Sequence, residues 1–155
     1  MEAPAFETQY VAKVVVIDGD ENVLLLRRSG DDKHRPGGSD IPGGGVEDDE
    51  LHDPRLAACR ELREEADIKA KPNELELLRT ESKMHVNPDT RAPVLRVWYY
   101  YLLRRRKMPK VKISGEHAGS EIVPRKDAPE LAADYPRVQR VFNDLNRLFD
   151  GGNDG

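Results

Sequence analysis

One cysteine, Cys59, is all the sequence contains, so no internal disulfide can form and a cross-linked secreted scaffold is excluded. A lone thiol of this kind reads as a buried side chain in a reducing compartment, most simply the cytoplasm. Apolar runs are short: nothing approaches the roughly eighteen residues of a membrane span. Met1 to Tyr10 lacks the basic-then-apolar pattern of a secretory leader. Internal repeats and long linkers are missing too. The 155 residues therefore read as a single domain over 1–155, ordered from about 8 to 149, with a tail beyond residue 150 that frays.

Charge is what the chain has in quantity. Charged residues make up 35% of it against 37% hydrophobic ones, which requires a densely ionic surface. The net charge of −4 is mild but unevenly spread. Acid gathers between Asp40 and Asp67, whereas Arg104 to Lys112 holds six basic residues in nine positions. An acidic cluster beside a phosphate-bearing ligand is tolerable only with a divalent cation between them. The basic run reads as a solvated hairpin or strand end; a nucleic-acid contact there is open but not favoured.

Valine-rich Tyr10–Ile17, a turn at Asp18-Gly19-Asp20-Glu21 and Val23–Leu26 predict a β-hairpin. Ser29–Asp40 is polar and glycine-rich and predicts an exposed loop. Asp53-Pro54 is a helix start, with Asp as N-cap and Pro where a missing N–H costs nothing, and the helix should run to about Ala66. Glu74–Thr80 and Val94–Leu103 read as strands, and Val111–Ile113 and Glu121–Val123 as shorter ones. Apolar residues at Val138, Val141, Phe142, Leu145, Leu148 and Phe149 predict a second amphipathic helix over Tyr135–Phe149.

The informative stretch is Gly43–Ile68, GGGVEDDELHDPRLAACRELREEADI. At about 100° per residue from Leu56, Cys59, Leu62 and Ala66 fall between about 240° and 300° as an apolar stripe. Glu64, Glu61 and Glu65 fall at about 80°, 140° and 180°, mostly opposite it. The pairs Glu61/Glu64 and Glu61/Glu65 are like-charge neighbours, each costing roughly 0.2–0.5 kcal/mol in an isolated helix. Such a cluster suits a hard cation such as Mg²⁺, which takes oxygen ligands and keeps several waters. A solvated ionic face, with Arg60 and Glu64 paired, is the other reading. The glycine-rich turn before the helix, whose backbone can approach a ligand closely, favours the cation.

The stretch resembles the Nudix box: a glycine, five residues, a glutamate, seven residues, then Arg-Glu-aliphatic-x-Glu-Glu-x-Gly-aliphatic. Five residues separate Gly44 from Glu50, and Arg60-Glu61-Leu62-Arg63-Glu64-Glu65-Ala66-Asp67-Ile68 supplies the second half. The likeness extends from about Val11 to Leu148. It implies an α/β (α+β) Nudix fold, with a mixed twisted β-sheet sandwiched between α-helices. It also implies a hydrolase that cuts a phosphoanhydride bond in a nucleoside diphosphate-linked small molecule.

Roles follow from the resemblance. Glu61, Glu64 and Glu65 would hold Mg²⁺, or Mn²⁺ in its place, with the carbonyl of Gly43; Gly44 and Gly45 would approach the substrate; Arg60 would orient the acids. Glu116, in Ser114-Gly115-Glu116-His117, is the candidate carboxylate outside the helix, and a polar loop residue is the competing reading. Arg27 and Arg28 could reach phosphates, but strand alternation lets at most one face a cleft. Trp98 and Tyr99–Tyr101 could stack on a base, with about half of them in the core. His34, His52, His85 and His117 read as ordinary loop residues.

Two positions depart from the box. Nine residues, not seven, separate Glu50 from Arg60, so Glu47, Asp48 or Asp49 competes with Glu50 as its partner. Asp67 replaces a glycine just past the helix end, where a left-handed backbone is typical. A catalytically silent nucleotide- or protein-binding module, and an enzyme removing a 5′ pyrophosphate from RNA through Arg104–Lys107, are the alternatives. An isoprenoid diphosphate isomerase is disfavoured, because Cys59 lies in the box helix and not in a separate loop. The oligomeric state is not legible, and a homodimer is open.

Overall fold

The computed structural model describes residues 7–151, so most of the predicted frayed tail lies outside the described residues. Its centre is β1 (Glu7–Ile17). From Ala12 to Ile17 this strand is buried on both faces, which its near-continuous aliphatic run requires. Alternation divides it: Val15 and Ile17 enter one core, while Ala12, Val14 and Val16 enter the other.

β2 (Asn22–Arg28), β3 (Ser39–Asp40), β4 (Gly43–Gly45), β5 (Leu75–Val86), β6 (Pro93–Arg104) and β7 (His117–Pro124) complete a seven-stranded sheet. The path is β3-β2-β1-β6-β5, with β4 on β1 and β7 on β2. Among the described strands only β1 and β6 run parallel, in register from Glu7↔Val94 to Ile17↔Arg104. The other edge of β1 is divided, since Ile17 meets β2 while Val11–Lys13 meet β4. The functional cleft lies beside this division.

One core packs the sheet against α2 (Ala128–Leu131) and α3 (Pro136–Phe149), through Ala128, Val138, Val141, Phe142 and Leu145. The other packs it against α1 (Pro54–Ala66), through Ala57, Ala58, Leu62 and Ala66. The expected sandwich of a mixed sheet between helices is thus the observed one. None of the described helices is long and apolar enough to cross a membrane.

α1 begins and ends as its sequence predicts. Asp53 caps it, its carboxylate accepting the Arg55 N–H. Asp67 closes it in the left-handed conformation at φ 56°. Asp67→Gly should raise stability by roughly 0.5–1 kcal/mol, because glycine adopts this conformation without a Cβ penalty; denaturant unfolding of the two proteins measures it.

Several elements differ from expectation. β5 runs to Val86, well beyond Thr80. His85 lies within it and His117 is buried at the start of β7, so neither is a loop residue. Ser39 and Asp40, expected in an exposed loop, are buried in β3. Val111–Ile113 is not a strand. Its backbone turns to the open carbonyls at the end of α1, Lys112 N–H donating to Ala66 O and Ser114 N–H to Glu65 O.

Candidate active site

The buried face of α1 keeps Leu62 and Ala66 of the predicted stripe but is shifted from it. Ala57, Ala58, Leu62, Glu65 and Ala66 are buried, while Cys59 is only half-buried. This rotates the covered face so that Glu65 sits within it. Two small alanines bring the helix close to the sheet and carry a carboxylate inward with it. Glu65 Oε2 accepts the Gly43 N–H at 2.8 Å. Burial pushes its pKa up to about 7, against the pull of the Gly43 N–H and of Lys13.

Glu61 is held beneath the glycine turn. A Cβ on Gly44 would lie 2.6 Å from Glu61 Oε1, and one on Gly43, at φ +151°, would lie 2.4 Å from the Ala12 carbonyl. The turn therefore needs glycine at 43, and a side chain at 44 would displace the Glu61 carboxylate. Burial raises the Glu61 pKa; Arg60 opposes that rise, and neighbouring Glu64 and Glu116 add to it. Glu64 is the exposed member of the three.

Arg60 ties the group together. Its Nε and Nη2 donate to the two Glu50 oxygens at 3.0 and 2.9 Å, and Nη2 also donates to the Gly45 carbonyl. Nη1 donates to Glu61 at 3.0 Å and Glu64 at 3.3 Å. Glu47 comes only within 3.8 Å of it, so Glu50 is its main partner despite the two extra residues. These are absorbed in the turn at Leu51-His52, between Glu50 and the Asp53 cap. The hydrogen bonds from Arg60 hold Glu50 below the usual carboxylate range.

The segment bonded to the end of α1 brings Glu116 over the same face. Glu116, Glu61, Glu64, Glu65, Gly43 and Gly44 line one side of a cleft of about 500 Å³. Lys13, Arg28, Arg35 and Arg96 line it from other directions, with Trp98 and Tyr135. Buried Lys13 donates to Asp40 at 2.9 Å, and Arg28 donates to Asp40 at 2.6 Å and to Asp32 at 2.7 Å. Arg35 lies over the Tyr135 ring and Arg137 over Trp98, 3.6 and 3.7 Å from the centroids.

Of the two arginines ending β2, Arg28 faces the cleft. Arg27 points elsewhere, donating to Glu121 and Ser39. Gly45 is outside the cleft lining as well, and its structural part is the carbonyl that Arg60 holds. Trp98 lies on the cleft side with Tyr100 behind it in the core, while Tyr99 and Tyr101 stack on the opposite face. Sequence reasoning missed Lys13, Asp40, Arg35, Arg96 and Tyr135. Only strand pairing and loop packing unite them, and no local spacing marks them.

A family model described as the NUDIX domain matches residues 7–145. The chain belongs to the Nudix hydrolase family. The Nudix fold is shared with a MutT protein from Methanosarcina mazei Go1, at TM-score 0.69 and 21% identity over 94% of this chain and 99% of that one. The E. coli ORF135 protein aligns at TM-score 0.65 and 20% identity, over 99% and 100% of the two chains. A C. elegans Ap4A hydrolase aligns at 0.62 and 21%, over 94% and 98%. No curated protein matches the sequence.

A second acidic group accompanies the Nudix box. Glu47, Asp49 and Glu50 bring carboxylate oxygens within 4.8 Å of one another, close enough to share a cation. They lie outside the cleft lining, and Arg60 engages both oxygens of Glu50. Within the cluster Glu50 thus anchors Arg60, whose Nη1 reaches back to the Nudix glutamates of α1.

Proposed function

We propose that this Nudix hydrolase cleaves a phosphoanhydride bond in a nucleoside diphosphate-linked substrate, with Mg²⁺, or Mn²⁺, held by Glu61, Glu64, Glu65 and the carbonyl of Gly43. The observation that carries this reading is the convergence of four carboxylates, Glu116 included, on one side of a cleft whose other sides are cationic. Burial and mutual repulsion raise Glu61 and Glu65, so the group is poorly compensated by the protein's own charges. An all-oxygen donor set of that kind fits a hard divalent cation. When bound, the ion would neutralise the diphosphate and acidify a water molecule.

The protein's own contribution is placement. Arg60 orients Glu61 and Glu64, and the Gly43 N–H orients Glu65. Gly44 leaves room for the Glu61 carboxylate, and Trp98 and Tyr135 offer apolar walls to an organic group. Glu116, exposed and carried on a coil, is the carboxylate best placed to take a proton from the attacking water. Lys13 and Arg28, already shared with Asp40, add positive potential for phosphate oxygens.

The test is hydrolysis of nucleoside triphosphates, nucleotide sugars, ADP-ribose and dinucleoside polyphosphates, the last suggested by the name of one structural neighbour. Turnover of at least one class with Mg²⁺, abolished by EDTA, is expected. A folded protein that binds Mg²⁺ but cleaves none of them would overturn the reading in favour of a binding module or an RNA-directed enzyme. A 5′-triphosphorylated RNA, titrated with salt, separates those two, since a backbone grip weakens steeply as salt rises.

A further inference from the structure

A second cationic hollow lies on the other side of the sheet from α1, between β5 and α3. It has a volume of about 370 Å³ and is lined by Arg79, Arg140, Asn143 and Arg147. Arg140, Asn143 and Arg147 stand three and four residues apart, so they form one stripe of α3. Arg79 reaches the hollow through a bulge. The register of β5 on β6 shifts between Leu77 and Arg79, leaving Leu78 as the extra residue. Leu78 packs into the core beneath α3, and Arg79, opposite the core residue Tyr100, faces the same way. A regular strand would send Arg79 to the opposite face, so the bulge is what brings it to α3.

Four guanidinium groups meet two carboxylates here. Glu81 accepts from Arg79 at 3.1 and 3.0 Å and from Arg140 at 2.6 and 3.2 Å, with Arg137 3.6 Å away. Asp144 accepts from Arg79 at 2.8 Å and from Arg147. The cluster keeps an excess of two positive charges, in a chain whose net charge is −4. Among the described residues, Arg140 Nη1 and the Nε and Nη1 of Arg147 have no partner. A clamp between α3 and β5 needs no such surplus of donors. Arg140 and Arg147 are two helical turns apart, about 10 Å along the axis, and Arg79 bridges them through Glu81 and Asp144. That span suits two linked phosphate groups better than one.

Arg137 connects the hollow to the cleft. It lies over the ring of Trp98, which lines the cleft, and its Nε is buried without a hydrogen-bond partner. An anion that draws Arg79 and Arg140 from Glu81 leaves that carboxylate to Arg137.

We propose that this hollow is a second anion site, separate from the Nudix cleft, and that its ligand is free pyrophosphate. Arg79, Arg140 and Arg147 hold the phosphate oxygens, and Arg137 transmits occupancy to Trp98. Among the described residues no aliphatic or aromatic side chain lines the hollow, so an organic group on the diphosphate finds no wall there.

The probe is pyrophosphate in EDTA, where no metal can bridge it to the Nudix glutamates. It should move the amide resonances of Arg79–Glu81 and Arg140–Arg147. It should also change the fluorescence of Trp98, the single tryptophan of the chain. Inorganic phosphate should bind roughly tenfold or more weakly, and ADP no more tightly than pyrophosphate. The Arg140 and Arg147 side chains are 47% and 70% exposed, so Arg140→Gln/Arg147→Gln should fold. Calorimetry on it should show pyrophosphate affinity reduced roughly tenfold or more, with the fluorescence change gone. If the double variant fails to fold, the wild-type amide map and Arg147→Gln decide. Amide shifts confined to the cleft around Gly43 and Gly44, or an affinity unmoved by the substitutions, would overturn the site. Tighter binding of ADP at the same amides would overturn free pyrophosphate as the ligand. Binding without a fluorescence change would overturn the connection through Arg137. All of these are binding readouts without metal, so their failure leaves the proposed hydrolysis standing.

Discussion

Glu65→Gln should melt higher than the wild type in EDTA and yet turn over substrate about 10²–10³-fold more slowly in Mg²⁺, as loss of a charged metal ligand implies. Both effects have one cause. Glu65 is buried beneath the glycine turn, and burial holds its pKa at about 7 rather than 4.5. A carboxylate raised in this way binds more protons folded than unfolded between those two values, so its contribution to stability declines as pH climbs through them. Well above pH 7 the buried charge should cost roughly 3 kcal/mol in EDTA. Glutamine retains an oxygen for the Gly43 N–H and removes the charge. The stability gain should be full at pH 8 and vanish near pH 4.5, where the wild-type carboxyl is already neutral in the fold. Thermal melts at the two pH values, beside initial rates in Mg²⁺, measure both effects. A Glu65→Gln protein that keeps wild-type rates would remove Glu65 from the proposed ligands. Glu64→Gln makes the contrast, because exposed Glu64 should lose activity with little change in melting.

The contrast between exposed Glu64 and buried Glu65 also marks the limit of what the sequence discloses. The ends of α1 were legible because Asp53-Pro54 and Asp67 act locally, through one cap hydrogen bond and one left-handed residue. The identity of the Arg60 partner survived two inserted residues because a short turn takes up the slack. Helical projection misjudged Glu65, since it counts hydrophobicity and cannot know that Ala57 and Ala58 let the helix approach the sheet. Of the cationic side only Arg28 was legible. Lys13 and Asp40 are 27 residues apart, and Arg96 meets Gln9 across 87. Such pairs are products of strand register, which β1 takes along its length from β6 and, around Lys13, from β4. Val111–Ile113 shows the same dependence. Its β-branched character suggests a strand, but the unpaired carboxyl end of α1 claims its backbone first.

Asp40→Ala should destabilise the protein by about 3–5 kcal/mol, the range for breaking a buried ion pair by removing one member. Asp40 bridges the division in the sheet, accepting from Lys13 Nζ, the Ile41 N–H and Arg28. The side chains of Lys13 and Asp40 are 9% and 2% exposed, so neither can turn to water once its partner is gone. Burial alone would raise the Asp40 pKa, but Lys13, the Ile41 N–H and Arg28 outweigh it and hold it below the usual range. A depressed carboxylate contributes its stability above the unfolded pKa and loses it as pH falls through the folded one. The wild type should therefore weaken in acid below about pH 4, and Asp40→Ala should lack that component. Lys13→Met should cost less, because Arg28 and the Ile41 N–H still satisfy the carboxylate. The double variant is the decisive member of the cycle: with both charges gone, the unpaired ammonium that makes Asp40→Ala so costly is gone too. Its loss should fall short of the sum of the single losses by about 1–3 kcal/mol in urea unfolding. Strict additivity would mean that Lys13 and Asp40 stabilise the sheet independently, and that their 2.9 Å contact contributes no net coupling.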